Sequence, residues 1–72
     1  MNDKIMQGNW QQLKGEIRQQ WGKLTDNDVA QVKGSAEKLI GTLQERYGIA
    51  RSKAADDVSA FLNRMEKKFS QN

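Results

Sequence analysis

Few side chains in this 72-residue sequence could perform covalent or acid–base chemistry, because it contains neither cysteine nor histidine. Most nucleophilic and general-base arrangements use one of those residues or a pair of carboxylates held in a cleft, and no such pair is evident. The usual zinc and haem ligands are also missing, which leaves acidic side chains as the metal ligands. We therefore expect a protein that is not an enzyme and that uses no metal and no cofactor.

The densest group of oxygen ligands is Asp26, Asn27 and Asp28, which could begin a calcium-binding loop. Such a loop also needs a glycine at a fixed downstream position, and that glycine is missing. Thr25 precedes the group, and a hydroxyl followed by acidic residues is typical of a helix N-terminus, where it accepts hydrogen bonds from free amides. We interpret these residues as a helix cap.

The aromatic residues Trp10 and Trp21 could form a platform on which nucleic-acid bases stack. Both share one helical stripe with Leu13 and Ile17, however, and that pattern favours burial in a core. Tyr47 follows Trp21 by 26 residues and has the same interpretation, with its hydroxyl at the boundary of the core.

The segment Gly48–Ala54 is similar to the hairpin of helix-hairpin-helix DNA-binding modules, in which a glycine-rich turn presents backbone amides to a phosphate. In this alternative, Gly48 belongs to the turn, and Arg51 and Lys53 contact phosphate. Ala50 replaces the second glycine, and the 12 basic and 9 acidic residues are interleaved and leave a net charge of only +3. Nucleic-acid binding, which prefers a concentrated basic patch, is therefore the alternative and not the main interpretation.

The six glycines indicate the elements that must position these residues. They form two triplets with internal steps of seven residues, namely Gly8, Gly15, Gly22 and Gly34, Gly41, Gly48. An offset of 26 residues relates the triplets and also pairs Trp21 with Tyr47. We interpret this regularity as a duplicated helix-turn-helix unit, with copies over about residues 8–33 and 34–62.

Apolar residues at helical spacing predict the first unit. Its first helix runs from about residue 9 to 21, and we expect Gly22 to end it in a left-handed conformation, which glycine adopts at no steric cost. A short second helix then holds Val29 and Val32 and stops near Gly34.

The second unit repeats this plan. Ser35 is the expected cap of a third helix, which Gly48 ends. A fourth helix begins near residue 51 and carries apolar residues on one face as far as Phe69, and we expect the tail over residues 70–72 to fray.

Gly15 and Gly41 lie in predicted helix interiors, away from the apolar stripes. Glycine there costs about 1 kcal/mol relative to alanine, so something should compensate. Two explanations stay open. Either the backbone at these points meets another helix of the same fold, or the two glycines mark a docking surface for a partner or a second copy.

Three runs of sequence carry a family resemblance. They are Gly8-Asn9-Trp10-Gln11-Gln12-Leu13-Lys14-Gly15, Trp21-Gly22-Lys23-Leu24-Thr25-Asp26-Asn27-Asp28 and Gln44-Glu45-Arg46-Tyr47-Gly48. Over about residues 5–62 the sequence resembles the bacterial CsbD-like family. The structural motif positions are Trp10, Gly15, Trp21, Gly22, Leu24, Thr25, Gly41, Tyr47 and Gly48. The family offers no catalytic residues to transfer.

The resemblance implies a fold and a setting. The expected fold is all-α, a single domain over residues 1–72 in which two duplicated helical hairpins pack across each other as a four-helix, SAM-domain-like unit. The expected setting is the bacterial cytoplasm during general stress. The resemblance does not identify a molecular activity.

Composition agrees with a small, hydrophilic, mildly basic protein, with a mean hydropathy of −0.90. The first ten residues contain no apolar run, so we expect no signal peptide, no membrane segment and a cytoplasmic location. We expect a monomer that acts either by contact with an unknown protein partner or as an abundant hydrophilic protectant.

Overall fold

The computed structural model describes residues 3–70 and contains only helices within that range. The helices are α1 (Asp3–Gly8), α2 (Trp10–Gln20), α3 (Asp26–Gln31), α4 (Ala36–Tyr47) and α5 (Arg51–Ser70). The most extensive helix pair is α4 with α5, and α1 contacts both α2 and α5. In addition α2 contacts α3, and α3 contacts α4. The predicted all-α class is confirmed.

The first helix, α1, was absent from the sequence-based prediction. It has six residues, and Met6 is completely buried. A helix this short is unstable by itself in water. A single buried residue such as Met6 also leaves no helical repeat of apolar residues that could be detected in the sequence. The helical conformation of α1 is therefore stabilised by packing against α2 and α5 and not by its local sequence.

The four-helix, SAM-domain-like arrangement is not confirmed. Helix α1 adds a fifth element, and α3, with six residues, is much shorter than its predicted counterpart α5, with 20. The assignment of residues 1–72 to one domain, with duplicated units over 8–33 and 34–62, stays a prediction. The expected fraying concerns Ser70, which is the last residue of α5, and residues 71 and 72, which lie outside the described range.

The end of α2 differs from the prediction. Trp21 is the C-cap, with φ −126°, and its amide donates to the carbonyl of Ile17 at 2.9 Å. Gly22 is not left-handed, and among the described residues only Gly34 and Gly48 have positive φ, at 79° and 63°. The left-handed cap at Gly22 was therefore a wrong prediction. The chain already leaves helical geometry at Trp21, so Gly22 is not required to take a positive φ.

The other predicted caps are confirmed. The Ser35 hydroxyl accepts a hydrogen bond from the amide of Lys38 at 3.3 Å, and Gly48 ends α4 with its amide bonded to the carbonyl of Gln44. Helix α3 ends at Gln31 and stops before the left-handed Gly34, and Val32, which was predicted to lie within the helix, is its C-cap. Local residue chemistry was sufficient at Ser35 and Gly48, because a cap is made by neighbours in sequence.

All five helices contribute to one hydrophobic core. Its buried members are Met6, Trp10, Leu13, Ile17, Trp21, Leu24, Val29, Val32, Ala36, Leu39, Ile40, Leu43, Ala54, Val58, Phe61, Leu62 and Met65. The ring of Trp21 lies 4.8 Å from that of Phe61, centroid to centroid, and so joins the end of α2 to α5. Both apolar stripes predicted for α2 and α4 are part of this core, because helical spacing places them on one face.

We predict that Met6→Ala destabilises the protein by about 2–5 kcal/mol, because it removes a completely buried side chain and leaves a cavity. This loss is comparable with the total stability of about 3–5 kcal/mol that a core of this size supplies. Urea unfolding followed by circular dichroism measures the difference. Gln7→Ala, at an exposed site on the same helix, is the control. Equal unfolding midpoints for the two variants would show that α1 does not stabilise the fold.

Candidate functional site

The start of α3 is held by a reciprocal capping box. The Thr25 hydroxyl accepts a hydrogen bond from the amide of Asp28, and an Asp28 carboxylate oxygen accepts one from the amide of Thr25, both at 3.1 Å. This confirms the helix-cap interpretation. The side chains of Asp26 and Asp28 do not converge on a common ligand position, because Asp26 pairs with Arg18 and Asp28 pairs with Arg46.

Asp28 is the one buried polar or charged residue among those described, with 4% of its surface exposed. Arg46 of α4 binds its carboxylate with two nitrogens, as Nε donates to Oδ2 at 3.0 Å and Nη2 to Oδ1 at 2.8 Å. Two parallel charge-assisted bonds fix both the distance and the orientation of the two groups. The ion pair therefore joins α3 to α4.

These contacts change the proton affinity of both groups. The hydrogen bonds from Arg46, followed by the bond from the Thr25 amide, hold the pKa of Asp28 below its usual value, although burial acts in the opposite direction. The bond to Asp28 raises the pKa of Arg46. A carboxylate that is ionised and fully hydrogen-bonded is a poor general base, so we assign this pair a structural role.

Tyr47 makes a second connection from α4 to the turn between α2 and α3. Its hydroxyl accepts a hydrogen bond from the backbone amide of Lys23 at 3.2 Å, and the Lys23 ammonium lies 5.2 Å from the centre of its ring. The side chain is half-buried, which agrees with the expected position at the core boundary. Leu24, the next residue in the turn, is buried.

The two tryptophans do not form an exposed platform for bases. Trp10 and Trp21 have only 8% and 7% of their surfaces exposed. This burial agrees with the interpretation as core residues.

The segment proposed to contact phosphate has a mixed charge. Arg51 forms an ion pair with Glu37 at 2.5 Å, and Lys53 forms one with Asp57 at 2.9 Å. Gly48 has the left-handed conformation of a helix C-cap. The structure thus brings Gly48, Arg51 and Lys53 to one turn but places a carboxylate beside each cation.

Gly15 and Gly41 do not pack against another helix. A Cβ atom built on either glycine would meet no heavy atom within 4 Å beyond its own local backbone. Of the two explanations open at the sequence level, close approach to a helix of the same fold is therefore wrong. The backbone is exposed at Gly15 of α2 and partly exposed at Gly41 of α4.

The open space at Gly15 belongs to a groove between α2 and α3 with a volume of about 430 Å³. We call it the α2–α3 groove, and its lining residues are Trp10, Lys14, Gly15, Arg18, Asp26, Val29 and Ala30. Its floor and walls are apolar or small, and its rim carries the charged side chains. Gly41 lines a shallower depression of about 360 Å³ with polar neighbours: Gln31, Lys38, Thr42 and Glu45.

Sequence reasoning missed the groove and the Asp28–Arg46 pair. Both members of the pair lie in quoted motif runs, but nothing in the sequence indicates that residues 18 positions apart bind each other. The signal for the groove was present in Gly15, a residue unfavourable for a helix interior that the core does not explain.

Residues 3–70 contain neither a membrane-spanning helix nor a metal-binding cluster. No helix there is both long enough and apolar enough to cross a bilayer. In the same part of the chain, no group of three or more acidic side chains could hold a metal ion.

Within the described residues, fold and surface define a small all-helical protein in which Arg46 binds the buried carboxylate of the α3 cap and a groove lies open beside Gly15. The profile of the CsbD-like family matches residues 4–56, and the chain belongs to this family.

The relatives come from several bacteria. The UPF0337 protein PA4738 of Pseudomonas aeruginosa is 45% identical over 65 residues, which cover 90% of this chain and all of the relative. The UPF0337 protein YjbJ of Escherichia coli K12 is 42% identical over 66 residues, covering 92% and 96% of the two chains. The UPF0337 protein Bd3330 of Bdellovibrio bacteriovorus is 39% identical over 69 residues, covering 96% and 74%.

We predict that the Asp28 carboxylate stabilises the fold above its unfolded-state pKa of 3.8 and that this contribution disappears as the pH falls through the lower folded-state pKa. The sign follows because the unfolded chain binds the proton more readily. Urea unfolding at pH values from 7 to 2.5 should show Asp28→Asn to be less stable than wild type at neutral pH, with a gap that narrows in acid.

Asp56→Asn is the control for this pH series, since Asp56 is an exposed acid on α5. We expect the difference in free energy of unfolding between Asp56→Asn and wild type to be small over the whole pH range. A stability difference between Asp28→Asn and wild type that stays constant from neutral pH to acid would contradict the lowered pKa of Asp28 in the folded state.

We also predict that Gly15→Ala and Gly41→Ala each stabilise the protein by up to about 1 kcal/mol, because both sites are helical and the added methyl meets no neighbour. Thermal unfolding of the single and double variants tests this. A loss of stability at either site would show that another part of the chain approaches that glycine closely.

Proposed function

We propose that this protein is a non-enzymatic stress-response protein that acts in the cytoplasm, as a monomer, by contact with another protein at the α2–α3 groove. The supporting observation is the open space beside Gly15. Helix α2 contains a glycine that lowers its stability, and no part of the described fold occupies the space that the glycine leaves. A surface kept for a partner accounts for both facts.

The second candidate function is bulk protection by an abundant, well-hydrated protein. It is supported by the exposed ion pairs distributed over the surface, namely Arg18–Asp26, Arg51–Glu37, Lys53–Asp57 and Lys68–Glu16. Exposed pairs of this kind add little stability but keep the surface charged and hydrated. Protection in bulk requires neither a groove nor an unfavourable glycine, and for that reason we place protein contact first.

Nucleic-acid binding through Gly48, Arg51 and Lys53 has less support. A protein that binds the phosphate backbone gains affinity by releasing counterions from uncompensated cations. Here both cations already have carboxylate partners on their own surface, so binding would have to break these ion pairs.

The first test is site-specific photo-crosslinking in stressed bacteria. A benzophenone amino acid at Gln11, an exposed position one helical turn before Gly15, should give a few discrete crosslinked proteins. The same probe at Lys67, an exposed position near the end of α5, is the control. Identical diffuse patterns from the two positions would favour bulk protection over contact at the groove.

Nuclear magnetic resonance titration with short duplex DNA and single-stranded RNA tests the alternative. We expect no localised shifts at Gly48–Ala54 near physiological salt. Localised shifts that survive added salt would support nucleic-acid binding instead.

A further inference from the structure

We infer that the α2–α3 groove binds an amphipathic α-helix of another protein, one whose apolar stripe is flanked by carboxylates. The inference rests on the proposed contact function and specifies the chemistry of the partner.

The shape of the groove fits a helix. Its two sides are α2 and α3, with 11 and 6 residues, so at a rise of about 1.5 Å per residue the shared length is at most about 9 Å, the length of α3. Gly15 and Ala30 are small residues on opposite walls. Helix axes pack at about 8–10 Å, and small side chains at the contact permit the shorter distances.

The floor of the groove supplies a limited apolar contact. Trp10 and Val29 have only 8% and 3% of their surfaces exposed, because their main contacts are with the core. A docked helix therefore gains part of its contact area from the exposed backbone at Gly15 and from the methyl group of Ala30. The apolar area is small for a permanent complex, so we expect weak and reversible binding.

Charge at the rim selects the partner. Lys14 is exposed and forms no ion pair with any described side chain, while Arg18, one turn later, shares its charge with Asp26. The rim therefore carries an excess of positive charge, and complementary potentials favour an acidic partner.

A second copy of this chain is a poor occupant. The occupant must bring an apolar stripe, and the stripes of α2, α4 and α5 already lie in the core. The partly buried apolar residues Tyr47, Ile49, Ala55 and Phe69 also pack against that core. Within the described residues, no long helix has a free apolar face to offer, so the helix must come from another protein.

The probe is a designed, stapled helical peptide of about 14 residues with leucine and alanine on one face and glutamate on both flanks. It is titrated into the isotope-labelled protein at low salt. We expect saturable shifts of the Gly15 amide and of the Trp10 indole N–H. The Trp21 indole, packed against Phe61 outside the groove, should not move. A second peptide with lysine in place of glutamate should bind about fivefold or more weakly.

Three variants distinguish specific binding at the groove from nonspecific binding of the peptide elsewhere on the protein. Gly15→Gln places a side chain in the groove and improves helix propensity, so it should fold and lose binding. Gly41→Gln makes the same change at the related glycine of α4, where space is equally open, and should bind as the wild type does. Lys14→Glu should reduce binding of the acidic peptide about fivefold or more and improve binding of the basic one.

The inference is overturned if both peptides bind equally, if the shifts map away from the groove, or if Gly15→Gln binds as well as Gly41→Gln. Discrete crosslinks from Gln11 without peptide binding would retain protein contact as the function but reject an acidic helix as the partner. Peptide binding without discrete crosslinks would retain the chemistry of the groove but reject the proposed cellular function.

Discussion

The ion pair between Asp28 and Arg46 determines the position of α3, and with it one wall of the α2–α3 groove. A buried carboxylate is costly unless its oxygens are bonded, and this one accepts bonds from two Arg46 nitrogens and from the Thr25 amide. Helix α3 has six residues and would not be stable alone. Its orientation therefore depends on bonds at its first turn, which α4 supplies.

Successive residues of α4 hold the preceding turn at two points. Arg46 binds the cap of α3, and Tyr47 binds the Lys23 amide just after α2. Gly48 then ends α4 in a left-handed conformation. The family motif around Tyr47 thus holds the motif around Thr25 in place, which gives both runs a common structural purpose. Neither run forms a site for chemistry.

The surface ion pairs and Gly15 favour different functions, bulk protection in the first case and contact with a partner protein in the second. The ion pairs on the surface contribute little to the stability of the fold, and their charges keep the surface hydrated. Gly15 has the opposite character, because it lowers the stability of α2 and opens a partly apolar groove. Marginal stability makes such a cost significant in a domain of this size. This contrast is the reason for the proposal that a partner binds at the groove.

The sequence by itself determined what depends on near neighbours: the all-α class, the apolar stripes of the long helices and caps such as Thr25. It also identified Gly15 as unexplained, which is the one part of the candidate site that could be predicted. Only the tertiary structure decided that Met6 anchors an extra helix, that Asp28 binds Arg46 and that the space beside Gly15 is empty. Periodicity and capping are local and leave a pattern in the sequence. Contacts between distant residues, and their absence, are decided only when the helices pack.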